Sequence, residues 1–152
     1  MHLRSMRKSR IILFILHLIC YVYFTGNVSG KSTGLKTIEF LGGWQNPDGS
    51  YITAIVIDLE DNWKTYWRQS GEFGVDPDFS LSNSTNLKSF KFIWPAPILF
   101  GEGEFWSIGY YNKLILPLKI FPIHKKKPVN IDIEAQIGIC STMCIPITFH
   151  LK

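Results

Sequence analysis

The chain has 152 residues, 16 of them basic and 12 acidic, giving a formal net charge of +4 and a pI near 9.0. Arg4, Arg7, Lys8 and Arg10 carry that excess, because basic and acidic side chains balance beyond residue 30. Lys125-Lys126-Lys127 is the only basic run left, and before Pro128 it reads as a solvated turn. Nucleic-acid binding, which rests on clustered cations, is therefore not expected.

The first thirty residues do not read as part of a fold. After the basic patch comes an apolar run from Ile11 to Phe24, broken by His17, and then Thr25-Gly26-Asn27-Val28-Ser29-Gly30. Charge, apolar run and small residues in that order are the layout of a secretory signal peptide. Val28 and Gly30 suit the −3 and −1 positions of a cleavage site. The run is short of the roughly 20 apolar residues that span a bilayer. An exported protein is expected, with a signal peptide over residues 1–30 and one domain over 31–152. An uncleaved anchor is the competing reading, and it would be the only membrane contact. Cys20 would leave with the signal, which leaves two cysteines in a compartment that permits disulfides.

Helical periodicity is nearly absent from the rest. Short runs rich in β-branched and aromatic residues, separated by turn residues, predict strands. They fall near Leu35–Leu41, Tyr51–Leu59, Lys64–Trp67, Leu87–Trp94, Leu114–Phe121, Val129–Gln136 and Ile145–Leu151. Asn46-Pro47-Asp48-Gly49 predicts a hairpin turn between the first two. Glu72–Ser84 reads as a long polar connection, and Gly101–Gly109 as a long loop, unusually aromatic at Phe105 and Trp106. From Ile131 to Ile137 apolar and polar residues alternate, so one face is expected buried and the other wet. Seven such strands predict an all-β, immunoglobulin-like β-sandwich. The widely separated cysteines that bridge the sheets of antibody domains are missing.

Instead Cys140 and Cys144 stand four apart in Gly138-Ile139-Cys140-Ser141-Thr142-Met143-Cys144-Ile145-Pro146. One tight turn can bring them within disulfide reach. Three readings stay open on spacing: a redox-active pair, a structural disulfide, and a metal site. A bridge closing so short a loop restricts the unfolded chain by only about 2 kcal/mol, little for a staple. Cys140, Met143 and Cys144 are soft ligands that would suit Cu(I), whereas His124 and His150 read as surface residues. Zinc would want four ligands and finds two obvious ones. There is no serine elbow, phosphate-binding glycine loop or histidine-metal spacing, and the acids Glu72, Asp76, Asp78, Glu102 and Glu104 read as solvated loop residues. No cofactor is expected.

Three ordered motifs then carry a resemblance. Asn62-Trp63-Lys64-Thr65-Tyr66-Trp67-Arg68 with Gly71 and Gly74 is the first. Trp94-Pro95-Ala96-Pro97, Ser107-Ile108-Gly109-Tyr110 and Leu116-Pro117-Leu118 form the second. Gly138-Ile139-Cys140 with Cys144-Ile145-Pro146 is the third. Over roughly residues 38–150 the chain resembles the N-terminal periplasmic domain of the thiol–disulfide interchange protein DsbD, in its stand-alone or copper-tolerance-associated form. The resemblance implies an immunoglobulin-like fold and a redox pair, Cys140 and Cys144. Such a pair takes electrons from a membrane-embedded donor and passes them to periplasmic thiol oxidoreductases. It places a cap over the pair at Glu102-Gly103-Glu104-Phe105-Trp106, with Phe105 as the shielding ring. Tyr66 and Trp67 would lie near the pair or serve as ordinary core aromatics. The resemblance departs at Ser70, where proline is common, and in a cysteine spacing narrower than the family's. With no membrane-spanning electron-transfer domain in the sequence, the donor is expected to be a separate protein. A Cu(I)-binding module and a non-catalytic interaction domain with a structural disulfide are the alternatives. No Lys, Arg or His adjoins either cysteine in sequence, which predicts modest thiol activation, with control chiefly by the cap.

Overall fold

A computed structural model describes residues 33–102 and 105–152. The expected signal peptide, Cys20, Gly103 and Glu104 lie outside the described residues.

Among the described residues ten strands form two sheets and no helix occurs. One sheet is built from β1 (Leu35–Gln45), β2 (Tyr51–Leu59), β8 (Lys113–Pro122) and β5 (Leu87–Phe92), in that order. The other runs β10 (Cys144–Leu151), β9 (Ile133–Cys140), β3 (Lys64–Tyr66), β7 (Phe105–Tyr111), β6 (Ile98–Glu102), with β4 (Asp78–Ser80) also on β9. The sheets pack as an immunoglobulin-like sandwich. Their inner faces meet in a core of Ile55, Ile57 and Leu59 from β2, Leu114, Leu116, Leu118 and Ile120 from β8, and Ile133, Ala135, Ile137 and Ile139 from β9. On β8 every second residue from Leu114 on is buried, as a strand with one core-facing side requires.

The hairpin turn forms where Asn46-Pro47-Asp48-Gly49 predicts it. Gly49 N–H donates to Asn46 O (2.9 Å) and Asn46 N–H to Ser50 O (2.7 Å), while Gly49 takes φ +84°, a value that favours glycine. The Ser50 hydroxyl and N–H donate to Asp48, with Lys119 alongside, and hold its carboxyl down to a pKa of about 2.

Three segments differ from the sequence reading. Gly101, Glu102 and the residues from Phe105 to Gly109 are not loop but belong to the paired strands β6 and β7, whose register joins Ile98 to Gly109 and Glu102 to Phe105. Their glycines disguise the strand pattern, and Gly101 is required at φ +141°, where a Cβ would strike the Phe105 carbonyl. β9 begins at Ile133 and runs to Cys140, later than the alternation places it, because Asn130 forms only an isolated bridge to Thr85. The polar connection Glu72–Ser84 contains β4, paired in register with Gln136, Ala135 and Glu134.

The alternation along β9 stops at Gly138. Up to Ile137 odd-numbered residues are buried and Glu134 and Gln136 exposed, but Gly138 and Cys140 are buried too. Both faces of the strand are covered at that end. The cover includes the loop after β3, tied at its base by Ser70, which is 2% exposed. Ser70 donates its N–H (2.7 Å) and its hydroxyl (2.6 Å) to Asp76 Oδ1, and these bonds hold the Asp76 carboxyl below the usual carboxylate range. A proline at position 70, lacking an N–H, would make neither bond.

Leu116 is fully buried, so Leu116→Ala should cost about 2–5 kcal/mol of unfolding free energy, read from urea melts. Asp76→Ala should cost less, up to about 1 kcal/mol, because water can reach the exposed carboxylate's side of the bonds. Since the folded-state pKa of Asp76 is depressed, its contribution is full above its unfolded pKa of about 3.8 and disappears as pH falls through the folded value. The stability gap between wild type and Asp76→Ala should therefore close in acid.

Candidate functional site

The β9–β10 ladder pairs Leu151 with Ile133 at one end and Cys144 with Cys140 at the other. The two cysteines are thus opposite neighbours where the hairpin closes, linked through Ser141-Thr142-Met143. Ser141 N–H donates to Met143 O across that turn (3.0 Å). Their Cα atoms are 4.1 Å apart and their sulfurs are joined in a disulfide. So short a separation matches the closer class of antiparallel pair, at about 4.5 Å. The ladder itself brings the sulfurs together.

The two cysteines differ sharply in exposure. Cys140 is 1% exposed and clusters with Tyr66 and Phe100, whereas Cys144 is exposed. Tyr66 Oη lies 3.3 Å from Cys144 Sγ. A disulfide sulfur carries no proton, so the hydroxyl is the donor. Burial pushes the Tyr66 phenol pKa up, which keeps that proton in place at neutral pH. Tyr66 is where it is because β3 sits beside β9, and because glycine at 138 leaves room: a Cβ there would lie 3.3 Å from Tyr66 Cδ2 and 2.8 Å from Val75 Cβ. Trp67, the next residue, points the other way and packs on the large core, with the Arg68 guanidinium 4.6 Å from its ring centroid.

Of the expected cap residues, Phe105 is 64% and Trp106 44% exposed. Glu104 lies outside the described residues. The Phe105 ring meets Phe73, on the loop tied by Ser70 and Asp76, edge-on at 4.8 Å between centroids. With Val75 and Met143 these are exposed apolar side chains on the loop after β3, on β7 and on the cysteine turn.

Sequence reasoning missed Phe73, Val75, Phe100 and Lys64. Lys64 is in register with Cys140 on one side and Tyr111 on the other, and its ammonium stands 4.5 Å from the Phe100 ring centroid. A period of two puts Lys64 and Tyr66 on one face of β3, a signal available in the sequence. Which strand β3 pairs with was not.

As for metal, no cluster of three or more His, Cys, Asp or Glu capable of holding an ion occurs among the described residues. In the disulfide neither Cys140 nor Cys144 is a thiolate that could join Met143 around Cu(I). His124 is exposed, and His150 lies near Glu134 (3.9 Å), towards the far end of the β9–β10 hairpin. A cleft of about 800 Å³ near that far end, lined by Trp44, Tyr51, Ile131, Asp132 and Lys152 among others, contains neither cysteine.

No curated protein matches the chain by sequence. Among solved structures the fold is similar to the N-terminal periplasmic domain of ScsB from Proteus mirabilis, with a TM-score of 0.55 and 22% sequence identity. The likeness covers 75% of this chain and 50% of that one, so the chain spans about half the length of its structural relative. The family model described as "Thiol:disulfide interchange protein DsbD, N-terminal" matches residues 39–151, nearly the whole of the described domain. The chain belongs to the DsbD N-terminal domain family.

Proposed function

We propose that this domain is exported to the periplasm, its signal peptide removed after Gly30, and carries electrons there through Cys140 and Cys144. Its partners on this reading are thiol oxidoreductases on one side and a membrane-embedded electron donor on the other. The observation that carries the proposal is the asymmetry of the disulfide, one cysteine buried and its partner exposed, at the end of a preformed hairpin.

That asymmetry orders the chemistry. A thiolate of the donor reaches the exposed Cys144 and attacks its sulfur. A new disulfide forms between donor and Cys144, the Cys140–Cys144 bond breaks, and the electron pair leaves on Cys140 Sγ. A second donor thiolate then attacks the donor's own sulfur in the mixed disulfide and releases Cys144. The domain has gained two electrons, takes up two protons, and is a dithiol; the donor has become a disulfide. Delivery to a partner disulfide runs the same steps in reverse, with Cys144 attacking and Cys140 resolving. Tyr66, donating to Cys144 Sγ, stabilises negative charge there. Phe105 and Trp106, with Phe73, supply exposed apolar surface that meets the partner, while Cys144 stays open to attack.

A purely structural bridge fits the arrangement less well. The backbone ladder already holds the two Cα atoms together, and the cross-link restricts the unfolded chain by only about 2 kcal/mol.

With a purified thioredoxin-fold oxidoreductase, Cys140→Ser should accumulate a mixed disulfide through Cys144, while Cys144→Ser should trap far less. Absence of any trapped species from both variants, seen by non-reducing gel and mass spectrometry, would sink the proposal. Tyr66→Phe removes one hydrogen bond worth about 1 kcal/mol and should leave about fivefold less Cys144 thiolate at neutral pH in the reduced Cys140→Ser variant, read from the rate of its alkylation.

A further inference from the structure

The exchange step above leaves a charge in an awkward place. When Cys144 is attacked, the leaving thiolate forms on Cys140, which is 1% exposed and packed among Tyr66 and Phe100. Burial in such surroundings disfavours a thiolate and makes it a poor leaving group unless a cation compensates.

The sheet supplies one. Four strands, β10, β9, β3 and β7, put Cys144, Cys140, Lys64 and Tyr111 in a single row of register partners. Residues directly opposite on neighbouring antiparallel strands share a face, with Cβ atoms about 4.5–5.5 Å apart. Lys64 and Cys140 are therefore side by side on the face that also carries Tyr66. The Lys64 ammonium rests against Phe100, the ring that packs with Cys140. Among the described residues no carboxylate forms an ion pair with Lys64, so its charge is not already spent.

We infer that Lys64 is the cation that stabilises the Cys140 thiolate: it rests on the Phe100 ring while the disulfide is closed and pairs with the sulfur when the bond opens. A flexible four-carbon stem with a compact ammonium allows that short swing. The inference rests on the exchange reading and adds to it the group that makes the buried sulfur an acceptable leaving group. Electrons and atoms balance as before, because Lys64 gives up no proton and only offsets the charge that arrives on sulfur.

The other titratable groups that face the pair do not substitute for it. From β3 comes Tyr66, a neutral phenol bonded to Cys144, and from β7 Tyr111, also a phenol. From the loop after β3, Asp76 is engaged by Ser70, and Arg68 stacks on Trp67, which belongs to the opposite face. Glu72 is exposed on that loop and bears the wrong sign. From β10 only Cys144 itself adjoins, since His150 lies six residues further along.

The test uses Lys64→Met and Lys64→Arg in the full chain. In the reduced protein with Cys20→Ser and Cys144→Ser, so that Cys140 is the one cysteine left, thiolate absorbance near 240 nm should be titrated against pH. Lys64→Met should leave about tenfold less Cys140 thiolate at neutral pH, one pKa unit's worth, and Lys64→Arg should retain it. In the two-cysteine protein, opening by dithiothreitol should slow about threefold in Lys64→Met, as expected for a leaving thiol of higher pKa, and recover in Lys64→Arg. A wild type that opens readily, with Lys64→Met matching it in both titration and rate, overturns the role of Lys64 and leaves the exchange reading standing. A wild-type disulfide that dithiothreitol does not open under native conditions overturns both. A folding defect in Lys64→Met would appear as a lowered urea midpoint, and the Lys64→Arg titration then decides: a shift as large as that of the methionine variant counts against a charge role.

Discussion

The antiparallel ladder between β9 and β10 is the interaction on which the site depends. It runs through eight consecutive register pairs, from Leu151 and Ile133 to Cys144 and Cys140, and it ends with two sulfurs opposite each other. A slip of one residue would turn every side chain of the strand to the other face. Ile133, Ala135, Ile137 and Ile139 are all buried in the main core, so the hydrophobic pattern of β9 pins the register that aligns the cysteines. Stability and chemistry are set by the same strand, one on each of its faces.

The second face is unusual because it too is covered, though only at one end. Gly138 makes this possible, admitting Val75 and Tyr66 where any side chain would collide with them. The result is a small apolar compartment under Cys140, separate from the sandwich core, with Cys144 at its rim. The loop that helps form the cover is held by backbone and hydroxyl donors converging on one carboxylate, Asp76. Burial of one sulfur and exposure of the other thus follow from a glycine, a tied loop and a hairpin laid across a sheet, rather than from anything in the cysteine turn itself.

Much of this was legible in the residues. The β-sandwich followed from short β-branched runs and turn signals, the first hairpin from Asn-Pro-Asp-Gly, and the closeness of Cys140 and Cys144 from their spacing. The β6–β7 hairpin was not legible, because Gly101, Gly103 and Gly109 read as loop punctuation when Gly101 in fact satisfies a backbone angle and Gly109 lies where its neighbour β3 comes close. Nor was Lys64 visible as a neighbour of Cys140, since 76 residues separate them and only the strand order joins them. Ser70 looked like a minor departure from a proline pattern. Its weight comes from an N–H and a hydroxyl whose acceptor lies six residues on, which no local pattern announces.

The 4.1 Å approach of the two Cα atoms has a consequence for turnover. In the disulfide state main-chain pairing across the β9–β10 ladder holds the two strands at that distance. Cutting or remaking the cross-link then asks for side-chain rotation and little else. On the proposed exchange reading, a carrier built this way would alternate between its two oxidation levels on one frame, and partners for either level would meet the same surface.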